Sequence, residues 1–191
     1  MNGIIIVNKS KGYTSHDIVA KVKKITGEKV GHTGTLDPLA TGVLPLLIGK
    51  GTLCSKYLMN HDKAYKVVLK LGIRKSTGDE EGDIIQEDVV DEGILDENNV
   101  KTVLERFLGE QEQIPPIYSA IKVEGKKLYE YARKGQQVEI KPRKITIYDI
   151  KSLKINKESS EIQFEVSCSK GTYIRSLCED IAKKMGTVGY M

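Results

Sequence analysis

The residues best suited to do chemistry lie in one short run, residues 31–44, which reads GHTGTLDPLATGVL. Asp37 is its one carboxylate, and Pro38 restricts Asp37 to extended backbone geometry. The glycines of the run permit tight turns, and the apolar residues 43–48 that follow are typical of a buried strand. The pattern predicts a carboxylate held in a fixed loop beside a core strand. The alternative is an ordinary Asp-Pro turn, in which the carboxylate caps its own backbone.

This run resembles the catalytic motif of the TruB-type tRNA pseudouridine synthases, G-H-T-G-x-L-D-P-x-A-x-G-x-L, at nearly every fixed position. The resemblance continues in NKSKGYTS at residues 8–15 and in CSKGTYIR at residues 168–175, so it covers essentially the whole chain. It implies an enzyme that converts the T-loop uridine of tRNA to pseudouridine. It also implies that neither a metal nor another cofactor is needed.

Pseudouridine formation breaks the bond between ribose C1′ and uracil N1, turns the base, and joins C1′ to C5. Because the breaking bond leaves positive charge on the sugar, one nearby carboxylate is enough to stabilise the sugar or to bond to it. The resemblance gives this catalytic role to Asp37. Attack at C1′ and assistance through the C2′ proton both stay open at this point.

Three further catalytic residues follow from the resemblance. Tyr65 matches an active-site tyrosine that stacks on the extruded base, and a flat ring on a strand suits that role. Arg175 matches an arginine that pairs with the catalytic aspartate, which would keep that carboxylate ionised. Tyr173 matches a second tyrosine of the pocket. The alternatives are a cross-strand aromatic for Tyr65 and a phosphate-binding arginine near a helix start for Arg175.

Two residues near the N-terminus are expected to act on RNA or on the loop. His32 matches a histidine that enters the folded T loop as the target base leaves, offsetting part of the cost of base extrusion. The alternative for His32 is a structural hydrogen-bonding role. Lys9 is expected to support the catalytic loop or to bind a phosphate.

Residues 118–137 interleave basic side chains with tyrosines. This segment resembles the family's inserted thumb, which clamps RNA. The alternative is a solvated amphipathic helix that packs Leu128, Tyr131 and Ala132 inward, and both descriptions hold if basic side chains line its outer face. The thumb residues expected to contact RNA are Lys122, Lys126, Lys127 and Arg133.

Charge is distributed unevenly along the chain, although the net charge is only +4. Residues 1–75 carry 13 Lys and Arg against 4 Asp and Glu, and residues 114–191 carry 15 against 9. Residues 76–113 carry only 2 Lys and Arg against 13 Asp and Glu. This pattern predicts a basic face that binds tRNA through its phosphates and an acidic segment that faces away from it.

Hydrophobic periodicity predicts strands mixed with flanking helices, which indicates an α+β fold. The resemblance implies a mostly antiparallel mixed sheet with flanking helices and a central catalytic cleft. Helices are expected over residues 17–25 with Ser15 as the cap, over 98–108 with Asp96 as the cap, and over 172–185. Glycines at 27, 109 and 186 are expected to end them. Strands are expected at residues 3–7, 43–48, 64–72, 84–89, 144–153 and 161–167.

The composition of the chain bears on its cellular location and on whether it holds a disulfide or a metal. The sequence has no apolar stretch long enough to span a bilayer and no basic leader, so we expect a cytoplasmic protein without membrane contact. Three cysteines and three histidines show no ligand spacing, so we expect neither a disulfide framework nor a metal site.

The resemblance also sets an expected domain organisation. Family members continue beyond the position of Met191 into a further core strand and a small RNA-binding domain. We therefore expect residues 1–191 to form one catalytic domain, truncated at the C-terminus and lacking the RNA-binding domain.

Two other functions stay open from the sequence. One is a tRNA-binding or tRNA-folding module without catalysis, for which Asp37, Tyr65 and Arg175 would be dispensable. The other is a guide-RNA-dependent pseudouridine synthase subunit, since such relatives share the catalytic motif. The thumb-like segment favours direct recognition of the tRNA T-arm stem-loop, with no obligate protein partner implied.

Overall fold

The computed structural model describes residues 1–191, apart from the side chain of Ser152. The chain forms two compact units, Met1–His61 and Asp62–Met191. Among the described residues, no helix has the length and apolar character required to cross a membrane.

The first unit is a three-stranded antiparallel sheet with a helix packed on it. The strand order is β1-β3-β2, and α1 packs Ile18 and Val19 against Leu44 and Leu46 of β3. A 3-10 turn at Gly49–Cys54 leads into the short α2. The elements are β1 (Gly3–Lys9), α1 (Ser15–Thr26), β2 (Val30–His32), β3 (Gly42–Ile48) and α2 (Ser55–Leu58).

The cap of helix α1 is Thr14, one residue earlier than the sequence analysis places it. The Thr14 hydroxyl accepts a hydrogen bond from the Asp17 amide at 3.0 Å, and the Asp17 carboxylate accepts one from the Thr14 amide at 2.8 Å. This is a capping box, which satisfies two amides at the helix start. The prediction that Ser15 is the cap is therefore wrong, and its buried hydroxyl bonds to another segment instead. Gly27 ends the helix in the left-handed conformation, as predicted.

The second unit is built on a five-stranded antiparallel sheet of order β12-β4-β11-β10-β7, and it also contains two separate short hairpins, β5-β6 and β8-β9. Its strands are β4 (Lys63–Leu71), β5 (Ile73–Lys75), β6 (Ile84–Glu87), β7 (Gly109–Gln113), β8 (Lys122–Val123), β9 (Lys126–Lys127), β10 (Arg143–Asn156), β11 (Glu161–Cys168) and β12 (Gly189–Tyr190). Its helices are α3 (Glu97–Glu105), α4 (Leu128–Ala132) and α5 (Ile174–Lys184), with a 3-10 turn at Glu92–Leu95 before α3.

One face of this sheet forms the main core. Val67, Leu69 and Leu71 of β4 alternate with more exposed residues and are buried, as the period of two in the sequence predicts. They pack with the buried faces of β11 and of helix α5. Tyr65 lies on the same face of β4 and is half-buried against this core.

The predicted α+β class is confirmed, and all six predicted strands are present with shifts of a few residues at their ends. Asp96 caps α3 as predicted, because its carboxylate accepts hydrogen bonds from the amides of Asn98 and Asn99. However, α3 ends at Glu105, so Gly109 opens β7 rather than stopping a helix. Helix α5 begins at Ile174, two residues later than predicted.

Six short strands were not predicted, of which β7 is the most informative. Its sequence, GEQEQ, has no hydrophobic alternation, yet it forms an edge of the five-stranded sheet by pairing with β10. Such a segment is held by backbone hydrogen bonds to a neighbouring strand, and these bonds do not require any particular pattern of side chains. The other five, β2, β5, β8, β9 and β12, have only two or three residues.

Candidate active site

Asp37 lies in the loop between β2 and β3, and hydrogen bonds hold the residue before it. The Leu36 amide donates to the Ser15 hydroxyl at 2.9 Å, and this hydroxyl donates back to the Leu36 carbonyl at 3.1 Å. The Ala40 amide donates to the Asp37 carbonyl at 3.0 Å and closes a turn. The buried Ser15 on α1 therefore fixes the approach of the chain to the carboxylate.

Lys9, at the end of β1, holds the residue after Asp37. Its fully buried ammonium donates to the carbonyls of Ser10 at 3.1 Å, Tyr13 at 2.6 Å and Pro38 at 3.0 Å. Three carbonyls match the three donors of an ammonium. Burial lowers the pKa of Lys9, and the negative charge of Asp37 opposes that shift. Of the two expected roles, loop support is thus favoured over contact with a phosphate.

His32 lies in β2 opposite Leu46 of β3 and is half-buried. Burial lowers the pKa of His32, while a hydrogen bond with the Gly34 backbone opposes the shift. Its Nδ1 atom is buried and, within the described part of the chain, has no hydrogen-bond partner. The imidazole therefore stays neutral to lower pH than a free histidine.

Arg175 lies in the first turn of α5 and is buried, with 7% of its surface exposed. Its Nη1 donates to the Thr77 carbonyl at 2.9 Å, and its Nη2 donates to the Tyr118 carbonyl at 3.0 Å. Its Nε lies 3.8 Å from a carboxylate oxygen of Asp79. The guanidinium therefore joins the β5-β6 loop to the first residue of the thumb segment, residues 118–137.

Asp79 is the site residue that the sequence analysis missed. It belongs to the acidic segment expected to face away from RNA, but only 6% of its surface is exposed. Its carboxylate accepts hydrogen bonds from the Thr77 hydroxyl at 2.5 Å and from the Glu81 amide at 3.1 Å. These bonds hold the carboxylate toward Arg175. Within its own loop, no residue pattern distinguishes Asp79 from the exposed Asp83.

Tyr173 is the cap residue of α5, and the side chain of Gln113 holds its backbone on both sides. The Tyr173 amide donates to Gln113 Oε1 at 2.8 Å, and Gln113 Nε2 donates to the Tyr173 carbonyl at 3.0 Å. Gln113 ends β7 and is 3% exposed. The edge strand missed in the sequence therefore positions the segment that carries both Tyr173 and Arg175.

Tyr65 is supported by the central part of the second unit. Its strand β4 pairs with β11, where Val166 lies directly opposite Tyr65. A residue on a paired strand is held more rigidly than one on a loop, which is compatible with the expected stacking role of this ring.

The thumb segment consists of the β8-β9 hairpin followed by α4. Leu128 and Tyr131 are buried and Ala132 is half-buried, so the expected inward face is present. Lys122, Lys126 and Arg133 are exposed, and Lys127 is half-buried. The amphipathic helix and the basic outer surface thus occur in the same segment.

The predicted site residues are divided between the two units. The first unit carries Asp37 with His32 and Lys9, and the second carries Tyr65, Tyr173 and Arg175 together with the thumb segment. Among the described residues, no group of three His, Cys, Asp or Glu side chains could hold a metal ion.

The model of one family, described as "TruB family pseudouridylate synthase (N terminal domain)", matches residues 21–174. The chain belongs to this family. The match includes Asp37, Tyr65, Asp79 and the thumb segment, and it ends one residue before Arg175.

Curated TruB relatives match the chain over nearly its full length. It is 48% identical to tRNA pseudouridine synthase B of Caldanaerobacter subterraneus subsp. tengcongensis, over 100% of this chain and 66% of that protein. It is 51% identical to tRNA pseudouridine synthase B of Clostridium novyi, over 97% of this chain and 63% of that protein. The chain thus spans slightly less than two thirds of the length of these relatives.

Solved structures agree with the family assignment. A structure of a Cbf5-Nop10-Gar1 complex superposes with a TM-score of 0.73 and 32% identity, covering 99% of this chain and 46% of that one. A structure of an H/ACA RNP bound to a substrate RNA containing 2′-deoxyuridine gives a TM-score of 0.69 and 29% identity, covering 99% of this chain and 44% of that one.

Proposed function

We propose that this chain catalyses the isomerisation of the T-loop uridine of tRNA to pseudouridine in the cytoplasm. The observation that carries the proposal is the fixed loop around Asp37, in which Ser15 holds the residue before the carboxylate and Lys9 the residue after it. Family membership supports the reaction type, and the names of the curated relatives support tRNA as the substrate.

Asp37 is the proposed catalytic group, acting at the ribose. Substrate and product are isomers, so the reaction has no net change in oxidation state and no net gain or loss of a group. A carboxylate on C1′ or near it stabilises the charge that forms as the N1 bond breaks. The same group must then release the sugar so that C5 can attack C1′, and a loop held at both ends keeps it in reach throughout.

The other site residues have supporting roles in the proposal. Tyr65 stacks on the extruded uracil, and Tyr173 lines the pocket beside it. Arg175 is the proposed ionic partner of Asp37, and Asp79 is the group that orients Arg175. His32 fills the space that the base leaves in the T loop, a role that suits a neutral imidazole.

The proposed RNA surface includes the exposed Lys122, Lys126 and Arg133 of the thumb segment and the half-buried Lys127. Cations of this kind bind RNA mainly through phosphates, so affinity should fall steeply as salt concentration rises. No obligate protein partner is part of the proposal.

A guide-RNA-dependent activity is the second candidate, because the structural matches include the Cbf5-Nop10-Gar1 complex at 32% identity. The thumb segment favours direct recognition of tRNA, since it places a basic surface on the catalytic chain itself. The two candidates differ in whether a guide RNA is required.

A mapping experiment separates these functions. Unmodified tRNA transcript is incubated with the chain alone, treated with a carbodiimide that forms a stable adduct with pseudouridine, and copied by reverse transcriptase. The proposal predicts a single stop at the T-loop uridine without any guide RNA. A stop that needs a guide RNA would support the second candidate, and binding without any stop would indicate a module without catalysis.

A further inference from the structure

The thumb segment contains one tyrosine that contacts two cationic side chains. The Lys127 ammonium lies 5.3 Å from the centre of the Tyr129 ring and 3.2 Å from its hydroxyl oxygen. The Arg133 guanidinium carbon also lies 5.3 Å from the centre of this ring. Both distances are within the range of cation–π attraction. The two cations are therefore no more than twice 5.3 Å apart.

The backbone beneath Tyr129 is well fixed for so small an element. The Leu128 amide donates to the Ile121 carbonyl at 2.8 Å, and the Tyr129 amide donates to the Ser119 carbonyl at 3.1 Å. The Leu128 side chain is fully buried. The Tyr131 hydroxyl donates to the Val123 carbonyl at 3.1 Å, which ties α4 to the β8-β9 hairpin. The backbone that carries the Tyr129 ring is thus held by contacts that do not involve Lys127 or Arg133.

We propose that Tyr129 is a positioning residue of the RNA-binding surface. Its ring holds Lys127 and Arg133 together, so that the pair contacts the same phosphate or neighbouring phosphates of one RNA strand. This inference rests on the proposed function, because it takes RNA as the ligand of the thumb segment. It adds a role for an aromatic residue that the family motif and the basic pattern leave unexplained.

The physical reason is the conformational freedom of long cationic side chains. A free lysine or arginine samples many rotamers, and binding a phosphate removes that freedom at a cost in affinity. A ring that already restricts two such side chains reduces the cost for both. Two cations that repel each other also gain more from one polyanion when they are held close before it binds.

A different role for Tyr129 would be to stack on a base, as aromatic residues do in many RNA-binding proteins. The ring in this structure already contacts two cations, which favours the positioning role. The two roles make different predictions when the cations are removed, because stacking does not need them.

The test is a set of double-mutant cycles on binding of a fluorescent T-arm stem-loop RNA, measured by anisotropy at several salt concentrations. Tyr129→Leu removes the ring and Tyr129→Phe keeps it. Each is made in the parent chain, in a Lys127→Gln/Arg133→Gln background, and in a Lys122→Gln background. Lys122 is the matched control, because it is an exposed lysine of the same hairpin.

We expect Tyr129→Leu to weaken binding about three- to tenfold in the parent chain, and Tyr129→Phe to stay within about twofold of the parent. The slope of log affinity against log salt should become shallower by about 1 for each cation that is released. Tyr129→Leu should have no further effect once Lys127 and Arg133 are replaced, and its full effect in the Lys122→Gln background.

Steady-state rates separate positioning from a general structural effect. Tyr129→Leu should raise KM and leave kcat within about twofold, with an unchanged melting temperature. An equal loss of affinity in the cation-free and parent backgrounds would overturn the inference and indicate base stacking. The inference would also be overturned if Tyr129→Phe bound the RNA as weakly as Tyr129→Leu does. If the parent chain binds the RNA and Tyr129→Leu binds it equally well, the inference about Tyr129 fails and the proposed function is unaffected. If the parent chain does not bind the RNA, the proposed function itself is contradicted.

Discussion

The ammonium of Lys9 donates a hydrogen bond to the carbonyl oxygen of Pro38 at 3.0 Å and so ties the end of β1 to the residue that follows Asp37. The Gly12 amide donates to the same oxygen at 2.9 Å. One carbonyl beside the proposed catalytic carboxylate therefore has two donors from the N-terminal segment. The backbone beside Asp37 therefore depends on a residue whose side chain is itself buried.

The first prediction concerns Lys9→Met, which keeps an unbranched side chain of similar length but removes the three donors. Release of Pro38 should let the loop shift, and a displacement of about 1 Å at a reacting group costs about 10²-fold in rate. We expect kcat to fall by about that factor with KM little changed, measured under saturating tRNA. The control is Lys11→Met, an exposed lysine two residues away. A Lys9→Met enzyme with the kcat of the control would contradict the proposed support of the loop.

The second prediction concerns Asp79→Asn, which removes a charge but little volume. Asp79 and Arg175 are both buried, and loss of the Asp79 charge beside the guanidinium should lower the free energy of unfolding by about 1 to 3 kcal/mol. We also expect a loss of kcat, since Arg175 loses one of the groups that orient it. Urea denaturation and single-turnover rates measure the two effects.

The matched control for Asp79→Asn is Asp83→Asn, because Asp83 is exposed in the same loop. A surface substitution of this kind should change stability by no more than about 0.5 kcal/mol. Equal effects of the two substitutions on rate and stability would mean that Asp79 does not orient Arg175.

The third prediction is a pH dependence that originates in His32. Because burial lowers the pKa of His32 in the folded chain below its ordinary 6.5, the unfolded chain binds more protons between the two values. The stability associated with neutral His32 is therefore fully present above pH 6.5 and is lost as pH falls through the folded pKa. His32→Asn should remove this component from urea denaturation midpoints measured between pH 5 and pH 8.

The control for this pH dependence is His61→Gln, since His61 is exposed. That variant should keep the fall in stability below pH 6.5. If His32→Asn and the parent chain lose stability in parallel over this range, the pH dependence has another origin.

The fourth prediction concerns the reactivity of the three cysteines. Cys54 is exposed, whereas Cys168 and Cys178 are buried, and burial raises the pKa of both buried thiols. Because the thiolate is the reactive form, a thiol reagent should modify one cysteine quickly and the other two only after denaturation. The Cys54→Ser variant should lose the fast phase. Fast modification of two or three thiols in the native chain would contradict the described packing.

Sequence information was sufficient where a local pattern determines local structure. The alternation of apolar residues in β4 is visible in the sequence and matches the side chains that form the core, and the Asp96 cap followed from residue type and position. The Thr14 cap could also have been found, because Thr14 and Asp17 have the spacing of a capping box. Ser15 has no such reciprocal partner, because the residue three positions later is Ile18.

The contacts that orient the site residues were not predictable, because they join segments that are far apart in the chain. Arg175 contacts the carbonyl of Thr77 and the carboxylate of Asp79, and Gln113 holds the backbone of Tyr173. Nothing in the sequence around Gln113 or Asp79 separates them from their polar neighbours. Such partners become visible only when the strands that carry them are paired.

The most direct test of the central claim is release of tritium from a T-arm stem-loop RNA labelled at uracil C5, because C5 loses its hydrogen when C1′ joins it. The parent chain is compared with Asp37→Asn, and binding of the same RNA is measured for both. We predict release by the parent and none above background by Asp37→Asn, with affinities that agree within about twofold. Release by Asp37→Asn at the parent rate would contradict the role of this carboxylate, and RNA binding without release by the parent would contradict the proposed activity.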